Sequence, residues 1–292
     1  MARIKPFRGI LYNPKKVDIA KVTAPPYDVI SPRIQNCLYR EDAHNIVRII
    51  LGKRGKADKP GSDRYARASA FLRDWLKGNI FAEDKNPSVY IYSQIYLHKG
   101  KKRRRIGFVA LMKIEDPRKS GVLPHEYTLD KPKKDRFSLI SKTKANLSPI
   151  FSLFQDKDNE ITRILKSYAS SRAPLFALDS EGVKHKFWRM EDKGAIGRIA
   201  KEMKEKKIFI ADGHHRYEVA LAYRNKMHGS GNFKKNMDYV MMYFTNLSEK
   251  GGGLTVLSTH RVIADLGNID QKKLLDDLGD LFYITKAASV DS

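Results

Sequence analysis

Asp212-Gly213-His214-His215-Arg216 gathers a carboxylate, two imidazoles and a guanidinium around one glycine. Imidazole and guanidinium N–H groups donate to phosphate oxygens, and a carboxylate can hold a divalent cation against them. The flanking residues strengthen that reading. Ile208–Ala211 is a short apolar run of the kind a buried strand shows, and Val219, Ala220, Leu221 and Tyr223 follow at positions able to face a core. The spacing predicts strand, sharp turn, helix, with Gly213 free to take positive φ and Asp212 expected to cap the helix. A helix start leaves unpaired N–H groups and the positive end of the dipole, so this turn is expected to bind an anion.

Three further groupings carry chemistry. His125-Glu126 and Asp135-Arg136 lie close in sequence amid lysines. They fit a general base with its anion clamp, and equally a set of surface ion pairs. Ala24-Pro25-Pro26-Tyr27-Asp28 has a backbone path fixed by adjacent prolines, which either presents Tyr27 and Asp28 at a cleft or makes a stiff loop. Thr259-His260-Arg261 follows the short strand expected at 254–257.

These residues need elements to position them. Ser31-Pro32 signals an N-cap and first helical turn. His44–Leu51, rich in β-branched residues, predicts a strand, and Tyr65–Lys77 an amphipathic helix ended by Gly78. Ser88–His98 and Ile106–Ile114 predict a hairpin, with the basic run Lys101–Arg105 assigned to its turn at Lys99-Gly100. Tyr90, Tyr92 and Tyr96 beside arginines suit single-stranded nucleic acid, although strands use tyrosine freely. Helices are expected at 161–168 and 195–207, and strands at 175–178, 183–190, 239–246 and 281–285. The expected fold is a single α/β unit over residues 1–292, a mixed β-sheet with flanking helices.

Composition bounds the function. Among 292 residues, 56 are Lys or Arg and 33 are Asp or Glu, a formal net charge of +23. Such an excess favours phosphorylated metabolites, nucleotides or nucleic acid, but the basic residues are spread along the chain, so a dedicated nucleic-acid groove is not favoured. Cys37 is the sole cysteine, which excludes an intramolecular disulfide and fits a cytoplasmic protein. No apolar run reaches the roughly 18 residues of a membrane span, so no membrane partner is expected.

Ala24-Pro25-Pro26-Tyr27-Asp28-Val29-Ile30, His125-Glu126-x-Thr128, Asp135-Arg136, Asn146-Leu147-Ser148-Pro149-Ile150, the central Asp-Gly-His-His-Arg-Tyr stretch and Thr259-His260-Arg261, taken in order, resemble the DUF1015 family. Members of that family are usually longer, which implies that the unit continues beyond the C-terminal end. The central turn is also similar to a box of the ParB/sulfiredoxin-like superfamily, in which a strand–turn–helix binds nucleotide phosphates. Sulfiredoxins carry a catalytic cysteine there, whereas His214 and His215 occupy the corresponding places here. The DNA-segregation members add a helix-turn-helix reader, for which this sequence shows no clear counterpart. The free-serine kinases resemble the turn best.

The resemblance, with the charge logic, implies a ParB/sulfiredoxin-like core and a nucleotide-dependent phosphoryl-transfer enzyme. The substrate would be a small hydroxyl metabolite such as serine, or its phosphorylated form, with ATP or ADP and Mg2+. Glu126 is the expected base with Asp28 as its rival. Asp212 and His214 complete the catalytic set, and Asp212 is the expected metal ligand. Tyr27, Asp28, Arg136, Gly213, His215, Arg216, His260 and Arg261 are expected to bind substrate or phosphate. The alternative is a non-catalytic nucleotide- or DNA-binding ParB-like regulator. A metal hydrolase using His125, His214, His215, His260 and Asp212 is a third reading, without the usual ligand spacing.

Overall fold

The computed structural model describes residues 2–59, 61–117, 121–248, 254–255, 267 and 269–285. His260, Arg261 and residues 256–257 of the strand expected at 254–257 lie outside these described residues. The chain divides into two compact units, Met1–Leu254 and Thr255–Ser292.

In the first unit the strands are β1 (Ile4–Lys5), β2 (Ile10–Tyr12), β3 (Phe81–Glu83), β4 (Val89–His98), β5 (Lys101–Lys113), β6 (Val122–Leu123), β7 (Ile150–Phe154), β8 (Phe176–Ser180), β9 (Val183–Met190), β10 (Ile208–Asp212) and β11 (Tyr239–Asn246). The helices are α1 (Ile19–Val22), α2 (Pro32–Glu41), α3 (Val47–Ile50), α4 (Arg64–Lys77), α5 (Asp130–Thr143), α6 (Glu160–Ser170), α7 (Lys193–Met203) and α8 (His214–Gly229). One nine-stranded sheet runs in the order β6-β10-β7-β11-β5-β4-β9-β8, with β1 paired to β5. It is mixed: β6 with β10 and β7 with β11 are parallel, and the other pairs are antiparallel. The protein is therefore an α/β structure with a large mixed sheet and flanking helices.

Strand alternation gives the sheet two different faces. Ile91, Phe108, Met242 and Phe244 join Ile161 and Leu165 of α6, Ile196 and Ile199 of α7, and Tyr217 and Ala220 of α8 in the main core. The opposite face holds Tyr90, Val109 and Tyr243, with Phe7, Phe151 and Phe187 against them. A smaller core joins Ile49 of α3, Trp75 of α4 and Leu139 of α5.

Two arrangements decide where the site forms. β6 and β10 are parallel, so both end at the same edge of the sheet. β7 is antiparallel to β10, so its first residue starts there too. The loops after β6 and β10 and before β7 thus emerge side by side, where ligands settle in open α/β sheets. The second arrangement is a bulge, with Ile210 opposite Ser152 but Asp212 opposite Phe151. One extra residue turns Asp212 onto the face of Phe151, away from that of Ile210 and Ser152.

Several sequence expectations are corrected. His44–Leu51 is not a strand. The Asn45 carboxamide oxygen accepts the Val47 N–H at 3.0 Å and its nitrogen donates to the Lys21 and Thr23 carbonyls, so the β-branched run enters the helical turn α3. The basic run Lys101–Arg105 is not a turn but the start of β5, because Lys99 and Gly100 close the hairpin alone with φ of 48° and 71°. Asp212 does not cap α8; it is the last residue of β10, and Gly213 holds the N-cap position. In the second unit, α9 (Gln271–Gly279) is capped by Asp270, and 281–285 forms no strand because no described strand pairs with it.

Candidate functional site

Gly213 fixes the approach to the site. It has φ +98°, and a Cβ built on it would stand 2.8 Å from Arg216 Nε. Only glycine both takes this left-handed turn and leaves the guanidinium room to fold back across it. Arg216 then donates to Asp212 Oδ2 at 2.5 Å and to the Pro149 carbonyl that precedes β7. Asp212, displaced from its capping role, is half exposed with Arg216 as its partner. The N–H groups of the first turn of α8 have no intrahelical partner, and His214, His215 and Arg216 of that turn line the same cleft.

The loop after β6 supplies the other wall. The His125 N–H donates to His214 Nε2 at 3.3 Å, and the Leu129 N–H donates to His215 Nε2 at 3.0 Å. The Thr128 hydroxyl donates to Glu218 Oε2 at 2.6 Å. Glu126 lies between these ties, its Oε2 3.0 Å from His214 Nδ1. That pair is close but not aligned for a hydrogen bond, since His214 Nδ1 is buried without one. The His214 side chain is 1% exposed and that of Glu126 57%. Burial first, and then neighbouring His125, push the His214 pKa below its ordinary value, against the pull of Glu126 and Asp212. His214 is thus a neutral ring built into the wall, and Glu126 is the group that reaches solvent.

A third wall comes from the N-terminal helices and α5. Asp135 is gripped by Arg64, accepts the Tyr65 hydroxyl at 2.8 Å and accepts Arg136 Nε at 2.8 Å. Burial works to raise the Asp135 pKa, but Arg136, Tyr65 and Arg64 outweigh it and hold the carboxyl below its usual range. Arg136 is buried, donates to the Ile50 carbonyl at 2.9 Å, and lies 3.9 Å from the centroid of the Tyr27 ring. Burial raises the Tyr27 pKa although Arg136 and Arg216 act the other way, so its hydroxyl remains a donor at neutral pH.

These walls enclose a cleft of about 840 Å3. Of the residues singled out from sequence, Tyr27, Asp28, Glu126, Asp212, Gly213, His214, His215 and Arg216 all line it. Arg136 stands behind the lining, holding Asp135 and Tyr27. His260 and Arg261 lie outside the described residues. Sequence reasoning missed Arg54, Arg64, Tyr65, Lys131 and Lys134, which also line the cleft. Arg64 and Tyr65 had one usable signal: Asp63 accepts the Tyr65 and Ala66 N–H groups, so both residues open α4. Arg54 lies in a loop and gave none.

Two of the acids are already committed, Asp135 to Arg64 and Arg136, and Asp212 to Arg216. Asp130 is paired with Lys133 at 3.3 Å, which leaves Glu126 and Asp28 as exposed carboxylates of the lining without an arginine or lysine partner. The arrangement can hold a polyanion while leaving a carboxylate free to take a proton. Among the described residues no group of three or more His, Cys, Asp or Glu side chains could hold a metal ion. Asp212 offers one carboxylate beside the first turn of α8, which suits a Mg2+ carried on a ligand's own oxygens rather than held in a protein cage. No described helix is long and apolar enough to cross a membrane.

The sequence profile of a family described as "Protein of unknown function (DUF1015)" matches residues 4–291. Comparison with curated proteins and with solved structures gives no match.

Proposed function

The chain belongs to the DUF1015 family, and we propose that it is a nucleotide-dependent phosphoryl-transfer enzyme acting on a small hydroxyl metabolite of the serine or phosphoserine type. One observation carries this reading: an exposed carboxylate, Glu126, faces the same cleft as an anion-binding helix start and Arg216. A transferring phosphoryl group needs charge neutralisation and alignment more than covalent chemistry. The first-turn N–H groups of α8, Arg216, Lys131 and Lys134 supply the charge. Glu126 takes the proton of the acceptor hydroxyl, and the Tyr27 hydroxyl and Asp28 orient that acceptor. At about 840 Å3 the cleft has room for a nucleotide and a small acceptor together. Mg2+ bound to the phosphates would be held by Asp212 and would neutralise phosphate charge. Similarity of the strand–turn–helix to the ParB/sulfiredoxin-like nucleotide box, and to the free-serine kinases within it, supports the same chemistry. The test is incubation with ATP or ADP, Mg2+ and serine, with phosphoserine detected by mass spectrometry, and the reverse reaction run from phosphoserine. Nucleotide binding without turnover in either direction, across a panel of small alcohols, would discard the enzyme reading.

One observation favours a second reading, a nucleotide- or DNA-binding regulator. Lys101–Arg105 lie in β5, so alternation puts positive charge on both faces of the hairpin's end. This reading requires nucleic-acid affinity that falls steeply with salt. Affinity indifferent to salt removes it.

A further inference from the structure

The sequence casts His214 and His215 as phosphate donors, but their ring nitrogens are turned elsewhere. Nε2 of His214 accepts the His125 N–H and Nε2 of His215 accepts the Leu129 N–H, so each ring meets the loop after β6 through a lone pair. A nitrogen that accepts carries no proton, so the neutral ring keeps its hydrogen on Nδ1. For His214 that nitrogen lies 3.0 Å from the Glu126 carboxylate without the alignment of a hydrogen bond. The ties fall at His125 on one side of Glu126 and at Thr128 and Leu129 on the other. Between them Tyr127 is 99% exposed, and Leu129 itself is 68% exposed, so apolar packing does not hold this segment down. What fastens it is hydrogen bonding to the first turns of α8.

We propose that His214 and His215 are positioning residues, a pair of neutral imidazole acceptors that latch residues 124–129 onto α8 and thereby hold Glu126 at the cleft. The latch is made by lone pairs: a ring carrying its hydrogen on Nε2 would set an N–H against a backbone N–H. His214 is faced by His125 and Glu126 from the loop and by Asp212 and His215 from its own turn. His215 shares the cleft with Asp130 and Lys131 of α5 and with Glu126. The third tie, from Thr128 to Glu218, has Lys133 3.5 Å from the same carboxylate.

The assignment of Glu126 as a base rests on the phosphoryl-transfer reading, but the latch does not, and the experiment separates the two. Amide hydrogen exchange is measured on the full chain without nucleotide at pH 8, with amides of β5 and β11 as reference. The N–H groups of His125 and Leu129 are expected to be protected. In His215→Ala the Leu129 N–H should lose about fivefold or more of its protection relative to the reference, the effect of one hydrogen bond, while that of His125 keeps its own. Imidazole 15N shifts of the unmodified chain should place the lone pair on Nε2 in both rings. A proton on Nε2 in either ring, or Leu129 protection unchanged by His215→Ala, overturns the latch. Absence of phosphoryl transfer leaves it standing and removes only the role given to Glu126.

Discussion

The Arg136 guanidinium lies 3.9 Å from the centroid of the Tyr27 ring, and this contact joins the segment after Pro25-Pro26 to α5. Arg136 also serves Asp135 and the Ile50 carbonyl, so one buried side chain ties three pieces of the cleft together. Arg136→Met should lower unfolding stability by about 3 kcal/mol, because it strips partners from buried polar groups. Arg136→Lys should lose much of the same, since an ammonium cannot fork to a carboxylate and cover a ring together. Urea denaturation measures both; a loss below about 1 kcal/mol for Arg136→Met would reduce the network to a surface ion pair.

Gly213→Ala tests the turn. A Cβ there meets Arg216 Nε at 2.8 Å, and φ is +98°. The substitution should cost about 1–3 kcal/mol of stability through backbone strain. It should also push Arg216 off Asp212 and the Pro149 carbonyl, weakening nucleotide binding by about tenfold or more, as expected for a lost charge-assisted contact. Calorimetric titration with ADP is the check, and unchanged affinity would mean that Arg216 plays no part in binding.

Glu126→Gln keeps the shape of the side chain and removes the base. Because the carboxylate is exposed, the thermal midpoint should stay within a degree or two, roughly what a neutral surface substitution gives. Turnover should fall by about 100-fold or more, with nucleotide affinity little changed. If Asp28→Asn shows the larger fall instead, the base has been assigned to the wrong carboxylate.

Two perturbed groups at the cleft contribute to the acid limb of stability. The folded-state pKa of Asp135 lies below its ordinary value, so its contribution is complete above about pH 4 and drains away as pH falls through the folded value. His214 is also lowered; the unfolded chain therefore takes up that proton first, and stability declines as pH falls below about 6.5 toward the folded value. Urea midpoints measured from pH 8 to pH 3 should show both declines. Asp135→Asn should flatten the lower one and leave the upper one in place.

His214→Ala and Lys102→Ala should give lopsided results. His214 braces the Glu126 loop from within the wall, so its loss should cost turnover about 100-fold, whereas Lys102 is exposed near the start of β5. Lys102→Ala should leave nucleotide-dependent activity intact and weaken only salt-sensitive binding to nucleic acid. Small, equal effects from both would make the central turn a structural bend and nothing else.

Local signals made the frame of the site legible. Apolar Ile208–Ala211, the glycine break and the following helical pattern describe β10, Gly213 and α8 to within a residue. The hairpin of β4 and β5 and the helix α4 are equally local. Where the sequence misled, a distant partner decided the outcome. Asn45 reaches back to Lys21 and Thr23 and bends a strand-like run into a helical turn. Asp212 reads as a cap until Arg216, one turn later, takes its carboxylate. The imidazoles of His214 and His215 read as donors because nothing local shows that backbone N–H groups nearly ninety positions away meet them. Arg54 and Arg64 enter the cleft only because α3, α4 and α5 share a small core, and spacing carries no trace of that.

The bulge in β10 decides which side of the sheet the acid at the cleft lies on. Asp212 stands opposite Phe151 rather than in step with Ile210. Even pairing through Ala211 would set Asp212 opposite Ile150, on the helix-covered side where Ile150 is fully buried and an unpaired charge is costly. The aspartate therefore guards the register of its own strand: the irregular pairing persists because the regular one would bury an acid.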